Sequence, residues 1–324
     1  MLTEFHFDED FLAAGDINGP NANIINGILL DFWIERGCLL YPESSFKEYR
    51  EWISTIKPKY SMKWLAALTT GRVRNLDVDY KKISSFQNIN QVESLYLQTG
   101  MDLILVPNEF NSLGVDDTVD IAQGNNLEIS KINGILNSKT YLRSLELCDR
   151  GTKVGDDINK IWSEQFKKTA KNSKIITIID RYLGVNLIKD ISKKRTAVDI
   201  FVDFLAQENK MFSLTIYTAG DQKGSEIYDQ INNNLRKKMT GSNIYQKALS
   251  NLVISSCHDD DFKKFSHDRF ICFDDIAYEI GKGMDIFRDM KMFSSTISIK
   301  PKMKSNFNYS HNELTKRRIW TERY

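Results

Sequence analysis

From Lys174 onward, short β-branched runs alternate with amphipathic helical patterns, and few architectures accept that order. Lys174 to Asp180 (KIITIID) reads as a buried strand, Ala197 to Gln207 as a helix and Phe212 to Thr218 (FSLTIYT) as a second strand. Helical spacing returns at Gly224 to Lys237 and Asn243 to Leu249, followed by short strands at Leu252 to Ser255 and Phe270 to Phe273. Alternating strands and helices predict an α/β sheet with its ligand site at the strand ends.

The first half carries the same mixture less sharply. Asn23 to Arg36 has apolar residues at helical spacing and stops at Gly37, before the apolar segment Cys38 to Tyr41. Helices are expected over Ser45 to Ile56 and about Met62 to Leu68, and a buried strand over Asp102 to Pro107. Trp33, Trp52 and Trp64 fall among other apolar residues and are assigned to the core. Residues 107–135, rich in Asn, Gly and Asp, are expected to contain long loops. The stretch 149–157 is polar, contains two glycines and precedes a helix expected over Ile158 to Ala170. The boundary is placed there, giving a mixed α/β domain over 1–150, a second α/β domain over 158–300 and a basic tail over 301–324.

That division exposes a cancellation in the charge. The formal total is +1, but residues 1–150 hold 14 basic against 21 acidic side chains and the remainder 30 against 22, so −7 is offset by +8. A basic second half suits phosphate-bearing partners, and an acidic first half repels them or docks a protein. The tail interleaves Phe307, Tyr309 and Trp320 with Lys300, Lys302, Lys304, Lys316, Arg317 and Arg318, a mixture suited to stacking on nucleic acid. No apolar run approaches the roughly 18 residues of a membrane span. The N-terminus has Glu4, Asp8, Glu9 and Asp10 where a signal peptide would be basic, and the four cysteines lack metal-ligand spacing, so a cytoplasmic protein with reduced thiols is expected.

The chemistry concentrates in Ser266 to Phe287. His267 and Arg269 are two residues apart, which on a strand places them on one side, and Asp274, Gly281 and Gly283 follow. A guanidinium grips phosphate oxygens, backbone near glycines approaches a ligand closely, and an imidazole attacks phosphorus or moves a proton. Asp274 is expected to orient His267.

The spacing His267-x-Arg269-x4-Asp274-x6-Gly281 resembles the H-x-K-x4-D-x6-G signature of the phospholipase D superfamily, with Arg in place of Lys. Ile178-Ile179-Asp180-Arg181-Tyr182-Leu183 resembles that superfamily's first-strand pattern. The elements His267-Asp268-Arg269-Phe270-Ile271 and Gly281-Lys282-Gly283-Met284-Asp285-Ile286-Phe287 are similar to those of the phospholipase D-like domain at the C-terminus of eukaryotic MIT-domain proteins. The resemblance covers roughly residues 170–300.

It implies an α/β/α sandwich and a phosphodiesterase that needs neither metal nor cofactor. His267, Arg269 and Asp274 would be catalytic, and Asp180, Tyr182, Gly281, Lys282 and Gly283 would bind phosphate or substrate. The superfamily mechanism uses two histidines; His6, His258 and His311 lack a phosphate-gripping neighbour, so a homodimer sharing one site is expected. Nucleic acid is the expected substrate and bacterial antiphage defence the expected setting by analogy, the alternative being a phospholipid- or protein-binding module without turnover. For the first half, Asp16, Asp31, Asp102, Glu109, Asp116 and Asp117 suggest an acidic magnesium site of the PIN-nuclease type or a sensing domain that binds a protein partner.

Overall fold

The structure is a computed structural model that describes residues 2–42, 46–69, 72–76, 81–96, 99–121, 127–193, 195–220 and 222–324. Ser45, the expected start of the second helix, lies outside them. The chain divides into two compact units, Met1–Glu146 and Leu147–Tyr324, each a mixed α/β fold.

In the first unit the strands are β1 (Thr3–Phe7), β2 (Gly37–Pro42), β3 (Val73–Leu76), β4 (Leu103–Val106), β5 (Thr118–Asp120) and β6 (Glu128–Lys131). They pair in the order β3-β2-β1-β4-β6-β5, parallel throughout except that β5 runs against β6. Alternate residues feed two cores: Phe5, Phe7, Leu39 and Leu105 join Trp33, Trp52 and Trp64 on one face, and Leu40, Ile104 and Ile129 join Val92 and Tyr96 on the other. Both faces are therefore buried, which explains why β4 is apolar at every position. Gly37 ends its helix in extended conformation, and glycine is required because a Cβ would lie 2.6 Å from the Phe5 ring. Residues 107–135 contain the expected long loop over 107–117 and also β5 and β6, because Leu127 and Ile129 bury against the second core.

The second unit contains β7 (Ile175–Ile179), β8 (Phe212–Ala219), β9 (Leu249–Cys257), β10 (Phe270–Phe273), β11 (Ile276–Ile280), β12 (Ile297–Pro301) and β13 (Arg318–Arg323). Their order is β12-β11-β10-β7-β8-β9-β13. β7, β8 and β9 are parallel, and every other neighbouring pair is antiparallel. One face packs Ile179, Tyr217, Cys257, Phe270 and Cys272 against Phe262, Phe307 and Leu314 of two helices. The other packs Tyr278 against Phe166, their rings stacked 4.6 Å apart, and Phe273 against Phe201. The helix expected over Ile158 to Ala170 forms, but a π turn at Trp162–Phe166 interrupts it, where the Gln165 carbonyl accepts from the buried Tyr278 hydroxyl at 2.7 Å.

The expected tail over 301–324 is not a tail. Phe307–Lys316 is a helix of the core, and β13 adds to β9 as the last strand of the sheet. Phe307 and Trp320 are buried, so of the three aromatics assigned there to stacking only Tyr309 remains exposed. The basic residues misled because they occupy the outer positions of a helix and an edge strand whose inner positions are apolar. Among the described residues no helix is long and apolar enough to cross a membrane.

This packing predicts that a chain ending at Lys300 loses the fold of the second unit and accumulates as insoluble protein. Leu314→Ala is expected to lower stability by about 2–5 kcal/mol in urea unfolding, whereas the exposed Lys316→Ala should shift it by less than about 0.5 kcal/mol. A soluble truncated chain with an unchanged melting profile would contradict the assignment of this segment to the core.

Candidate functional site

Parallel strands end together, so β7, β8 and β9 bring Asp180, Gly220 and His258 to one edge of the second sheet. β10 runs the other way and begins at that edge, and β11 ends there. Antiparallel register thereby returns Arg269 and Gly281 to the place where β7 delivers Asp180: the Ile280 N–H donates to the Arg269 carbonyl at 2.9 Å. His267 and Arg269 precede β10 rather than lying on it.

Asp180 is the hub of this edge. Its side chain is buried, with one carboxylate oxygen accepting from the Tyr182 N–H at 2.9 Å and the other from the Met284 N–H at 2.7 Å. Arg269 Nε lies 3.9 Å away, the Arg269 guanidinium also donates to the Gly281 carbonyl, and its carbon sits 4.8 Å from the centre of the Tyr182 ring. Gly283 has φ +55°, and a Cβ there would fall 2.2 Å from the Asp180 carboxylate, so the turn closes only with glycine. Two further ties hold the turn to the helix Leu183–Asp190: Asn186 donates to Asp285 at 2.7 Å, and Arg288 pairs with Asp190 through bonds of 2.6 and 2.7 Å.

Burial pushes the Asp180 carboxyl up to about 6, although the N–H groups of Met284 and Tyr182 and the Arg269 charge act in the opposite direction. The sequence assigns Asp180 to phosphate binding, whereas its carboxylate is buried and both oxygens are taken up by the Tyr182 and Met284 N–H groups. It holds Tyr182, Met284 and Arg269 in place.

Beside it is a pocket of about 410 Å³ lined by Asp149, His267, Asp268, Arg269, Gly281 and Thr296 among others. His267 is exposed and its ring makes no hydrogen bond among the described residues. Lys282 is also exposed, its ammonium without an ion pair among the described residues, and its N–H donates to Ser295 at 3.0 Å. Glu279, another lining residue, is neutralised by Lys300 at 2.7 Å. Tyr182 is 43% exposed at the same edge. The pocket thus presents one imidazole and one anchored guanidinium beside the carboxylates of Asp149, Asp268 and Glu279, with the exposed Lys282 ammonium on the residue that follows Gly281.

Asp274 is not part of it. It occupies the turn between β10 and β11 at the opposite end of β10, with φ +47°, and its carboxylate accepts from the Lys174 and Ile175 N–H groups at 3.0 and 2.8 Å. Asp274 therefore does not orient His267; it staples the hairpin to the start of β7. The spacing misled because five residues of extended chain carry a side chain about 16 Å from Arg269. His258 shares the carboxyl edge but stands three strands from β10, about 14 Å at the usual strand spacing. His311 stacks on Phe307, and burial lowers its pKa.

In the first unit the acidic set is dispersed. Asp16 accepts from the Asn108 N–H at 3.0 Å beyond the carboxyl end of β4, but Asp102 stands at the amino end, accepting from the Glu4 N–H at 2.8 Å, and Asp31 is exposed on a helix. Glu109, Asp116 and Asp117 are exposed on the segment between β4 and β5. Among the described residues no three His, Cys, Asp or Glu side chains group closely enough to hold a metal ion. Sequence inspection overlooked Asp8 at the carboxyl end of β1, whose carboxyl burial raises to about 6 while it accepts from the Asp10 and Ile83 N–H groups.

No family model and no curated protein matches the chain. Among solved structures, it is similar to TrmBL2, an archaeal chromatin protein described with a novel mode of DNA binding, at 12% identity and a TM-score of 0.26. The match covers 58% of this chain and 64% of that one.

The raised Asp180 carboxyl has a measurable consequence. An acid whose folded pKa is about 6 against an ordinary 3.8 keeps its proton in the fold over that window, so stability falls as pH rises from 4 to 6, by up to about 3 kcal/mol. Asp180→Asn should remove that decline in urea unfolding followed at pH 4, 5, 6 and 7; identical pH profiles would refute it. Gly283→Ala should destabilise by about 1–3 kcal/mol at any pH through its positive φ and the clash with Asp180.

Proposed function

We propose that residues 147–324 form a phosphodiesterase of the phospholipase D type, acting on nucleic acid through His267 in a cytoplasmic homodimer. The observation that supports it is the convergence, at one sheet edge, of an exposed unbonded imidazole, a guanidinium held by Gly281 and Asp180, and a glycine turn. Arg269 and Lys282 grip the phosphate oxygens. A ring nitrogen of His267 attacks phosphorus while the bond to the leaving oxygen breaks, and a second histidine gives that oxygen its proton. The second histidine then takes a proton from water, whose oxygen attacks phosphorus and releases His267.

His258 follows β9, three strands from β10, and opens the acidic helix Asp259–Phe265 with no phosphate-gripping cation in its motif, so the second histidine is assigned to His267 of another copy. The excess positive charge of this unit favours a nucleic acid, and the acidic unit Met1–Glu146 is assigned to sensing or to a protein partner, the arrangement of an antiphage defence nuclease.

One observation favours a second reading. Among the described residues no carboxylate orients His267, so the same edge would hold a phosphate or a phospholipid headgroup without turnover.

Purified protein incubated with DNA, RNA or anionic vesicles in EDTA separates the two. Cleavage that persists in EDTA and falls at least about a thousandfold in His267→Ala is the expected result. Vesicle binding without cleavage supports the second reading. Sedimentation should show a dimer under active conditions, and a monomer that cleaves would end the shared-site mechanism.

A further inference from the structure

The proposed reaction leaves the form of the substrate open, and two features beside His267 bear on it. Each consists of an aromatic ring held next to a cation. On one side is Tyr182, 43% exposed, with the guanidinium carbons of Arg269 and Arg181 at 4.8 and 5.1 Å from its ring centre. Both cations are fixed: Arg269 by Gly281 and Asp180, and Arg181 by two bonds of 2.5 and 2.6 Å to Asp259. The Tyr182 backbone is fixed as well, by its N–H on Asp180.

On the other side is Phe265, with Arg317 at 4.0 Å and Lys264 at 5.1 Å from its ring centre. Tyr309 adds a second ring 6.5 Å away and is 57% exposed. The Ser310 hydroxyl donates to the Phe265 carbonyl at 2.9 Å, so the helix Phe307–Lys316 holds this pair together. Phe265 and Arg269 lie two residues either side of His267, each within about 7 Å along the chain.

We infer that this edge binds a single-stranded nucleic acid, with one base stacked on Tyr182, another on Tyr309 and Phe265, and the phosphate between them at His267. The inference rests on the phosphodiesterase reading for the role of His267, but the two aromatic platforms stand independently of turnover. An unpaired base packs on an exposed ring edge or stacks on a guanidinium plane laid over a ring, as Arg269 and Arg181 lie over Tyr182 and Arg317 over Phe265, whereas a base inside a duplex has no free face to offer. A lipid headgroup has no use for two separated rings.

The test measures binding apart from cleavage. Full-length protein carrying His267→Ala is titrated into fluorescein-labelled DNA and RNA oligonucleotides of about 12 nucleotides, single-stranded or as duplexes, and into phosphatidylserine vesicles. The single strands should bind at least tenfold more tightly than the duplexes. Tyr182→Ala and Tyr309→Ala should each weaken single-strand binding between about 5- and 150-fold, with Tyr182→Phe close to the parent protein. Equal affinity for duplex, tighter binding to vesicles, or alanine variants within twofold of the parent would overturn the inference. Metal-independent cleavage by wild-type protein with unaltered binding in the tyrosine variants would sink this inference alone. Tyrosine-dependent binding without any cleavage by the wild type would sink only the phosphodiesterase.

Discussion

A single buried carboxylate joins the parts of the candidate site. Asp180 ends β7, takes one N–H from the chain that follows it and one from the turn after β11, and stands beside the guanidinium that precedes β10. Three stretches distant in sequence are thereby tied at one point. Burial opposes the charge that does this, raising the carboxyl to about 6, so the arrangement is held against a desolvation cost. Proteins retain such costs where geometry at a site outweighs stability.

The rest of the edge follows from strand direction. Because β7, β8 and β9 are parallel and β10 opposes them, the loops that carry His267, the glycines and Tyr182 emerge together. The opposite end of β10 is purely architectural, since Asp274 there caps the first N–H groups of β7 and keeps the hairpin in register. One short motif in the sequence therefore contains two kinds of residue. His267 and Arg269 line the pocket, and Asp274, with the same apparent claim, faces the backbone.

The alternation of Ile175–Ile179 with helices was legible because a strand covered on both faces is apolar throughout. β1 was not, since Thr3–Phe7 places Glu4 and His6 among its buried residues and its pattern looks half-exposed. Those groups are tolerated because Arg74 pairs with Glu4 at 3.0 Å and His6 bonds the Leu40 carbonyl at 3.0 Å, partners more than thirty positions away. The same limitation hid the C-terminal segment. Its cations dominate the composition, and the apolar residues that matter are Phe307, Leu314 and Trp320, whose burial depends on β9 and on the helix Asp259–Phe265.

Local sequence alone determined that this chain alternates strands and helices, that its charge separates into an acidic and a basic part, and that His267, Arg269 and the glycines belong near one another. Periodicity and composition are properties of neighbouring residues, and they survive without knowledge of the fold. Only the tertiary structure decided which of the candidate residues line the pocket. Asp180 turned inward, Asp274 moved to the far end of its strand, and Tyr309 came from a supposed tail to stand beside Phe265. Each of those outcomes is set by sheet register and by burial, which arise from pairings between residues far apart in the sequence and leave no mark on the spacing of a motif.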